Sequence, residues 1–182
     1  MEHVYTDGER QGSMHRQHDG NGAAFNMNTN RVTNEAIAYL AGLFDGEGSI
    51  NIFKQSNKKD RINSGYFLEI SIGNTHKGVL QWVLENFGGR LTHNAEQYTK
   101  RNHRTWRWRA SSNEACAVLK ILLPYLIVKR EQAQLAIEFQ EHINTHPRRG
   151  NQVLSEEELV WREAQRVRLS TIRFWKEEVE DR

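Results

Sequence analysis

The most informative segment of the chain is Leu40-Ala41-Gly42-Leu43-Phe44-Asp45-Gly46-Glu47-Gly48, which runs directly into Ser49-Ile50-Asn51-Ile52-Phe53. Gly42 and Gly46 are one helical turn apart, so they share a helix face that carries no side chains. Such a face lets a second helix approach closely, although each glycine inside a helix costs about 1 kcal/mol relative to alanine. The pattern therefore predicts a helix that packs against another helix, ends at Gly48, and presents Asp45 and Glu47 at its end.

The nonapeptide resembles the motif of the LAGLIDADG homing endonucleases, with Phe44, Gly46 and Glu47 in place of the Ile, the second Ala and the second Asp of that motif. The resemblance implies cleavage of double-stranded DNA with Mg²⁺ or Mn²⁺ as the cofactor. It also implies that Glu47, together with Gly46, holds the metal where two such helices pack side by side, because hard cations prefer oxygen ligands. Asp45 is predicted to have a structural role, bonding nearby backbone groups at the turn. The alternative is an ordinary amphipathic helix that ends in a solvated acidic turn.

The motif occurs once in the 182 residues, so an active site built from two helices requires two chains. We therefore predict a homodimer with two-fold symmetry. Its interface is predicted to contain Leu40, Gly42, Leu43 and Gly46. Cys116 is the only cysteine, which fits a reducing compartment. With no membrane span and no signal-peptide pattern, we expect an intracellular protein of the cytoplasm, nucleoid or an organelle matrix that is not secreted.

Three regions are predicted along the chain. Residues 1–31 are polar and rich in Gly, Asn, His and Gln, which predicts a disordered tail. Residues 32–146 are predicted to form the LAGLIDADG endonuclease domain. Residues 147–182 are predicted to be a helical extension that begins with a capping box at Ser155 and Glu158. The residues predicted to line one stripe of this final helix are Val160, Ala164, Val167, Thr171 and Phe174.

Two segments after the motif alternate apolar and polar residues, which is typical of strands with one buried face. The residues predicted to face inward are Ile50, Ile52, Leu68, Ile70 and Ile72. A helix with an apolar stripe from Val79 to Phe87 follows, and then a second hairpin over residues 90–92 and 105–110. A helix capped by Ser112 or Asn113 and a helix over about 128–143 come next. The fold class is therefore α+β, with the αββαββα order of the LAGLIDADG fold, a four-stranded antiparallel saddle-like sheet and added C-terminal helices.

Basic residues are concentrated in the predicted sheet and its loops. Between Lys54 and Arg109 there are eleven basic and four acidic residues, a net charge of +7 in a chain whose total is +2. Such a surface is typical of nucleic-acid binding. The residues predicted to contact DNA are Asn51, Phe53, Gln55, Phe67, Glu69, Ser71, Lys77, Arg107 and Arg109. Trp106-Arg107-Trp108-Arg109 alternates strictly, and we assign the tryptophans to the helix side. The reverse register, with a tryptophan on DNA, is the alternative.

The resemblance implies two further catalytic residues. Lys129, in the segment Pro124-Tyr125-Leu126-Ile127-Val128-Lys129, matches the lysine that lies near the scissile phosphate in the family. Asn74 matches a polar residue at the end of the second strand that positions water. The predicted function is a homodimeric, site-specific DNA endonuclease of a mobile intron. The alternatives are a maturase that binds intron RNA and a catalytically silent DNA-binding regulator with the same fold.

Overall fold

The computed structural model describes residues 32–55, 65–93, 105–147 and 154–173. The predicted disordered tail, residues 1–31, and Phe174 lie outside the described residues. The helices and strands are α1 (Asn34–Glu47), β1 (Gly48–Lys54), β2 (Tyr66–Asn74), α2 (Lys77–Phe87), β3 (Arg90–His93), β4 (Trp106–Ser111), α3 (Ser112–Leu122), α4 (Arg130–Thr145) and α5 (Glu156–Arg173). The predicted α+β class and αββαββα order are confirmed, with α4 and α5 added. Across the described ranges, every helix is too short or too polar to span a bilayer.

The four strands form one antiparallel sheet in the order β1-β2-β4-β3. The β2–β4 pairing joins the two hairpins, and β1 and β3 form the edges. In the first hairpin Gly48 lies opposite Ile72, and Phe53 lies opposite Phe67. The end of α1, which leads into Gly48, therefore lies at the same end of the sheet as the C-terminal end of β2.

One face of the sheet is buried under the helices. Alternate residues of β1 and β2 point into this core, as predicted, and they are Ile50, Ile52, Leu68, Ile70 and Ile72. Trp108 of β4 is fully buried there, and its indole N–H donates a hydrogen bond of 2.7 Å to the carbonyl oxygen of Gly88. Arg107 is exposed and Arg109 is partly exposed on the opposite face. The structure therefore confirms the predicted register, with Trp108 on the helix side.

Two predictions about the later helices are wrong. The residue that caps α3 is Ser111, and its side chain makes no capping hydrogen bond. On α5 the predicted stripe points outward, with Val160 64% exposed and Val167 50% exposed. The buried face of α5 contains Leu169 and Arg162 instead. Arg162 donates a hydrogen bond of 2.6 Å to Glu158, so this face buries a charge pair that an apolar pattern does not reveal.

Candidate active site and nucleic-acid interface

The end of α1 carries an exposed carboxylate, that of Glu47. The helix begins where the Thr33 hydroxyl accepts a hydrogen bond of 3.3 Å from Ala36 N–H. It ends at Gly48, whose N–H bonds to the carbonyl oxygen of Phe44 and whose backbone is already extended. A Cβ atom added to Gly48 would lie 2.4 Å from that oxygen, so only glycine allows this abrupt change from helix to strand. Glu47 is therefore held at the junction of two rigid elements.

A strip along α1 is largely open in the described part of the chain, although the ring of Tyr39 makes a T-shaped contact with the ring of Trp82. Cβ atoms added to Gly42 and Gly46 would meet nothing within 4 Å. Tyr39 on the same strip is 56% exposed, and Leu43 is partly exposed. Residues 39, 42, 43 and 46 have the i, i+3, i+4, i+7 spacing of one helix face. The sequence analysis missed Tyr39, although this spacing identifies it.

Leu40 requires a correction, because it was predicted to lie in the dimer interface. Its side chain is fully buried in the core of its own chain, together with Ala41 and Phe44. The helix has apolar residues on two sides, and Leu40 lies on the side that packs against its own sheet. The open strip therefore consists of Tyr39, Gly42, Leu43 and Gly46.

Lys129 reaches the last turn of α1. Its Nζ atom donates a hydrogen bond to the main-chain carbonyl oxygen of Asp45, two residues before Glu47. The carboxylate of Asp45 in turn accepts hydrogen bonds from the main-chain N–H groups of residues 127–129. Asp45 thus bonds backbone groups, as predicted. The prediction that they belong to its own turn is wrong, because they come from a segment more than 80 residues further along the chain.

Asn74 and Lys77 lie at the junction between β2 and α2. The Asn74 Oδ1 atom accepts a hydrogen bond of 2.8 Å from His76 N–H, and so shapes the turn that leads into α2. The Lys77 ammonium lies 4.6 Å from the centre of the Trp106 ring, a cation–π contact. Because Gly48 pairs with Ile72, this junction lies at the same end of the sheet as Glu47.

The outer face of the sheet changes from apolar to basic across its rows. At the hairpin end, the rings of Phe53 and Phe67 stack with centroids 5.5 Å apart. The next row pairs Asn51 with Glu69, and Gln55 is exposed just beyond β1. Ser71, which was predicted to contact DNA, lies on this face but is only 8% exposed. Its hydroxyl group is 2.9 Å from that of Ser49.

The basic end of this face contains an arginine that the sequence analysis did not assign to it. Arg90 on β3 lies directly opposite Arg109 on β4. Arg107 lies two residues before Arg109 on β4. Two like charges directly opposite each other on a sheet are destabilising. An anion between Arg90 and Arg109 would relieve this repulsion, which suits the pair to a phosphate group. The signal in the sequence was the position of Arg90 at the start of β3.

The comparisons with known proteins agree with this fold. The family model of the LAGLIDADG endonuclease matches residues 40–143, which is more than half of the chain. This protein therefore belongs to the LAGLIDADG endonuclease family. A comparison with curated proteins found no match.

Several solved structures share the fold. The homing endonuclease I-CvuI, solved in complex with a DNA target, is 20% identical, with a TM-score of 0.61 over 78% of this chain and 83% of that one. The archaeal intron-encoded homing endonuclease I-Vdi141I, complexed with DNA, is 18% identical, with a TM-score of 0.61 over 80% and 87%. The group I intron-encoded homing endonuclease I-CeuI, complexed with DNA, is 21% identical, with a TM-score of 0.53 over 63% and 58%. At these identities the similarity shows the fold alone.

Proposed function

We propose that this protein is a site-specific DNA endonuclease of the intron-homing type, which makes a double-strand break as a homodimer and depends on a divalent metal. The observation that carries the proposal is the combination found on α1 in a chain of this family. Its glycine strip is open in the single chain, and its end presents Glu47. The endonuclease domain in this proposal spans residues 32–146, and residues 147–182, which contain α5, form an extension.

Pairing of two α1 helices completes the metal site. Among the described residues of one chain, no three His, Cys, Asp or Glu side chains come together to hold a metal. A two-fold pair of helices packed through Gly42 and Gly46 brings two Glu47 carboxylates close, with main-chain oxygens of the last turns beside them. These are the oxygen ligands that Mg²⁺ or Mn²⁺ prefers. When bound, such a metal activates water and stabilises the leaving oxygen in phosphodiester hydrolysis.

Lys129 and Asn74 supply the remaining chemistry in this proposal. The Lys129 ammonium lies at the last turn of α1, where it can stabilise negative charge that develops on the scissile phosphate. Asn74 lies at the same end of the sheet, where its side chain can orient the attacking water.

The outer face of the sheet is the proposed DNA-binding surface. A strand of the length of β1 spans about 23 Å, and a twisted antiparallel sheet can follow the major groove. Two sheets in a dimer would cover on the order of 20 base pairs of a partly palindromic target. Arg107, Arg109, Arg90 and Lys77 provide positive charge for phosphates and guanines. The DNA complexes of I-CvuI and I-Vdi141I support this use of the shared fold. Such a protein works inside the cell, where its DNA is.

The experiment that tests the proposal is a cleavage selection on a randomised, partly palindromic DNA library with Mg²⁺. Wild type and Glu47→Gln are compared, and EDTA serves as the blank. Glu35→Gln, an exposed acid at the start of the same helix, is the matched control. We expect a cut consensus from wild type and Glu35→Gln and none from Glu47→Gln, which should still bind. Binding without cutting by wild type would favour the silent regulator, and absence of both would favour a maturase that binds intron RNA.

A further inference from the structure

The two acidic residues of the motif face different partners. Glu47 is exposed, whereas both carboxylate oxygens of Asp45 are occupied by main-chain donors. Asp45 Oδ2 accepts hydrogen bonds from Ile127 N–H at 2.8 Å and Val128 N–H at 3.2 Å. Asp45 Oδ1 accepts one from Lys129 N–H at 3.0 Å. One side chain therefore accepts hydrogen bonds from three consecutive main-chain N–H groups.

The side chain of Lys129 also contacts Asp45. Its Nζ atom donates to the carbonyl oxygen of Asp45, which lies in the last turn of α1 and so lacks a helical partner. The arrangement suits both helix dipoles, because a cation lies at the C-terminal end of α1 and an anion lies at the start of α4. The main chain and the side chain of Lys129 are thus both fixed relative to α1.

Other contacts hold both ends of this segment, and at the α4 end the Lys129 carbonyl oxygen accepts a hydrogen bond of 2.9 Å from Ala133 N–H. Leu126 is buried and anchors one end, and its N–H bonds to Leu122. Beyond it, Ile127 is 86% exposed and Val128 is 71% exposed, so their side chains add little packing within the chain. The three hydrogen bonds that Asp45 accepts therefore tie the backbone of residues 127–129 to α1.

We propose that Asp45 is a positioning residue, which holds the Lys129 ammonium at the end of α1, two residues from Glu47. This inference rests on the proposed function, in which Lys129 stabilises charge on the scissile phosphate. Asp45 itself touches neither metal nor DNA in this scheme. Asp45 affects cleavage only by positioning Lys129. A residue that only stabilises the fold would not depend on Lys129 in this way.

The test is a double-mutant cycle with Asp45→Asn, Lys129→Met and the double variant. Cleavage is measured in single turnovers with protein in excess, and DNA affinity is measured separately in Ca²⁺. We expect Asp45→Asn to slow cleavage by about 10- to 100-fold with DNA affinity changed less than about two-fold, a loss of ~1.4–2.7 kcal/mol in transition-state stabilisation. The double variant should cleave at the rate of Lys129→Met alone, because removing the lysine removes what Asp45 positions. Glu35→Gln is again the matched control and should cleave like wild type.

Amide hydrogen exchange provides a second readout that does not depend on activity. Asp45→Asn should speed the exchange of the residue 127–129 amides at least ten-fold, whereas Lys129→Met should leave Ile127 and Val128 protected. Full additivity in the cycle, or unchanged exchange at residues 127–129, would overturn the inference. A wild-type protein that binds but never cleaves any DNA would instead overturn the proposed function, and the exchange result would still report the Asp45 contacts.

Discussion

The phenol group of Tyr66 donates a hydrogen bond of 2.6 Å to Oε2 of Glu163 and so joins strand β2 to helix α5. The same carboxylate accepts a hydrogen bond of 2.6 Å from Arg166, and the Lys54 ammonium lies 3.4 Å from it. These partners lower the pKa of Glu163 to about 2, with Arg166 as the largest cause and Tyr66 next. Through this group α5 is attached beside β1, the edge strand that carries part of the proposed DNA-binding surface.

Glu163 predicts a specific pH dependence of stability. Because its folded-state pKa is lowered from 4.5, its contribution is present above about pH 4.5 and is lost as the pH falls towards 2. Glu163→Gln should lower the free energy of unfolding at pH 7 by about 1 kcal/mol, since the group is one-third exposed and partly screened. The difference from wild type should shrink as the pH falls from 4.5 to 2. Urea unfolding at a series of pH values measures this.

The matched control for Glu163 is Glu141→Gln. Glu141 pairs with Lys120 at 2.7 Å, but both side chains are about half exposed. Exposed pairs of this kind contribute little, so we expect a change of a few tenths of a kcal/mol at most. If the free energy of unfolding falls by the same amount between pH 4.5 and pH 2 in wild type and in Glu163→Gln, this pH dependence does not come from Glu163.

Trp108 should dominate the stability of the second hairpin. Trp108→Phe removes a fully buried indole and leaves the carbonyl oxygen of Gly88 without its donor, which should cost roughly 2–4 kcal/mol. Trp106→Phe, on the same strand and face but only partly buried, should cost less than about 1 kcal/mol. Urea denaturation of the two variants tests the difference. Equal losses would contradict the dominant contribution of Trp108.

Much of the fold follows from local patterns in the sequence. Alternation in β1 and β2 identifies their buried faces, because a strand has a period of two residues and only one face is apolar. The sequence Trp106–Arg109 alone is compatible with two registers, which place the tryptophans on opposite faces of the sheet. The choice depends on the indole N–H of Trp108 reaching Gly88, which lies on the turn between α2 and β3. That partner is 20 residues away, so no local pattern contains it.

Three of the errors arise from contacts that the local apolar pattern does not show. Arg162 lies in the buried face of α5 because it donates a hydrogen bond there to Glu158, which is also hydrogen-bonded to His142. The aliphatic stripe that contains Val167 is therefore exposed to solvent. Leu40 lies on one of two apolar sides of α1, and the sequence does not tell which side meets its own sheet. Asp45 bonds to a segment beyond α3, which its neighbours in sequence do not indicate.

The stacked pair Phe53 and Phe67 predicts sensitivity to thymine methyl groups in the DNA target. Phe53 is 41% exposed on the outer face of the sheet, where an aromatic side chain can contact the C5-methyl group of thymine. Replacing thymine by deoxyuridine at each position of the selected target should weaken wild-type binding about four-fold at one position in each half-site, the equivalent of ~0.8 kcal/mol for one buried methyl group.

The control for this prediction is Phe53→Ser, which should bind the thymine and deoxyuridine targets equally at that position. Arg107→Gln should lower affinity for every target while it retains the discrimination between thymine and deoxyuridine. If deoxyuridine scanning finds no sensitive position in wild type, the phenylalanine pair does not contact a thymine methyl group.

Gly42→Ala separates the stability of the chain from the stability of the dimer. A Cβ atom at Gly42 meets nothing within 4 Å in the single chain, and alanine favours a helix over glycine by about 1 kcal/mol. The variant should therefore fold at least as stably as wild type as a monomer, yet keep two α1 helices from packing closely. We expect its dimer dissociation constant, measured by analytical ultracentrifugation, to rise at least about ten-fold, or ~1.4 kcal/mol. Gly73→Ala is the matched control, because its Cβ also meets nothing within 4 Å but lies on the sheet. If Gly42→Ala dimerises as strongly as wild type, the dimer interface lies away from α1. The proposed metal site with two paired Glu47 carboxylates would then be wrong.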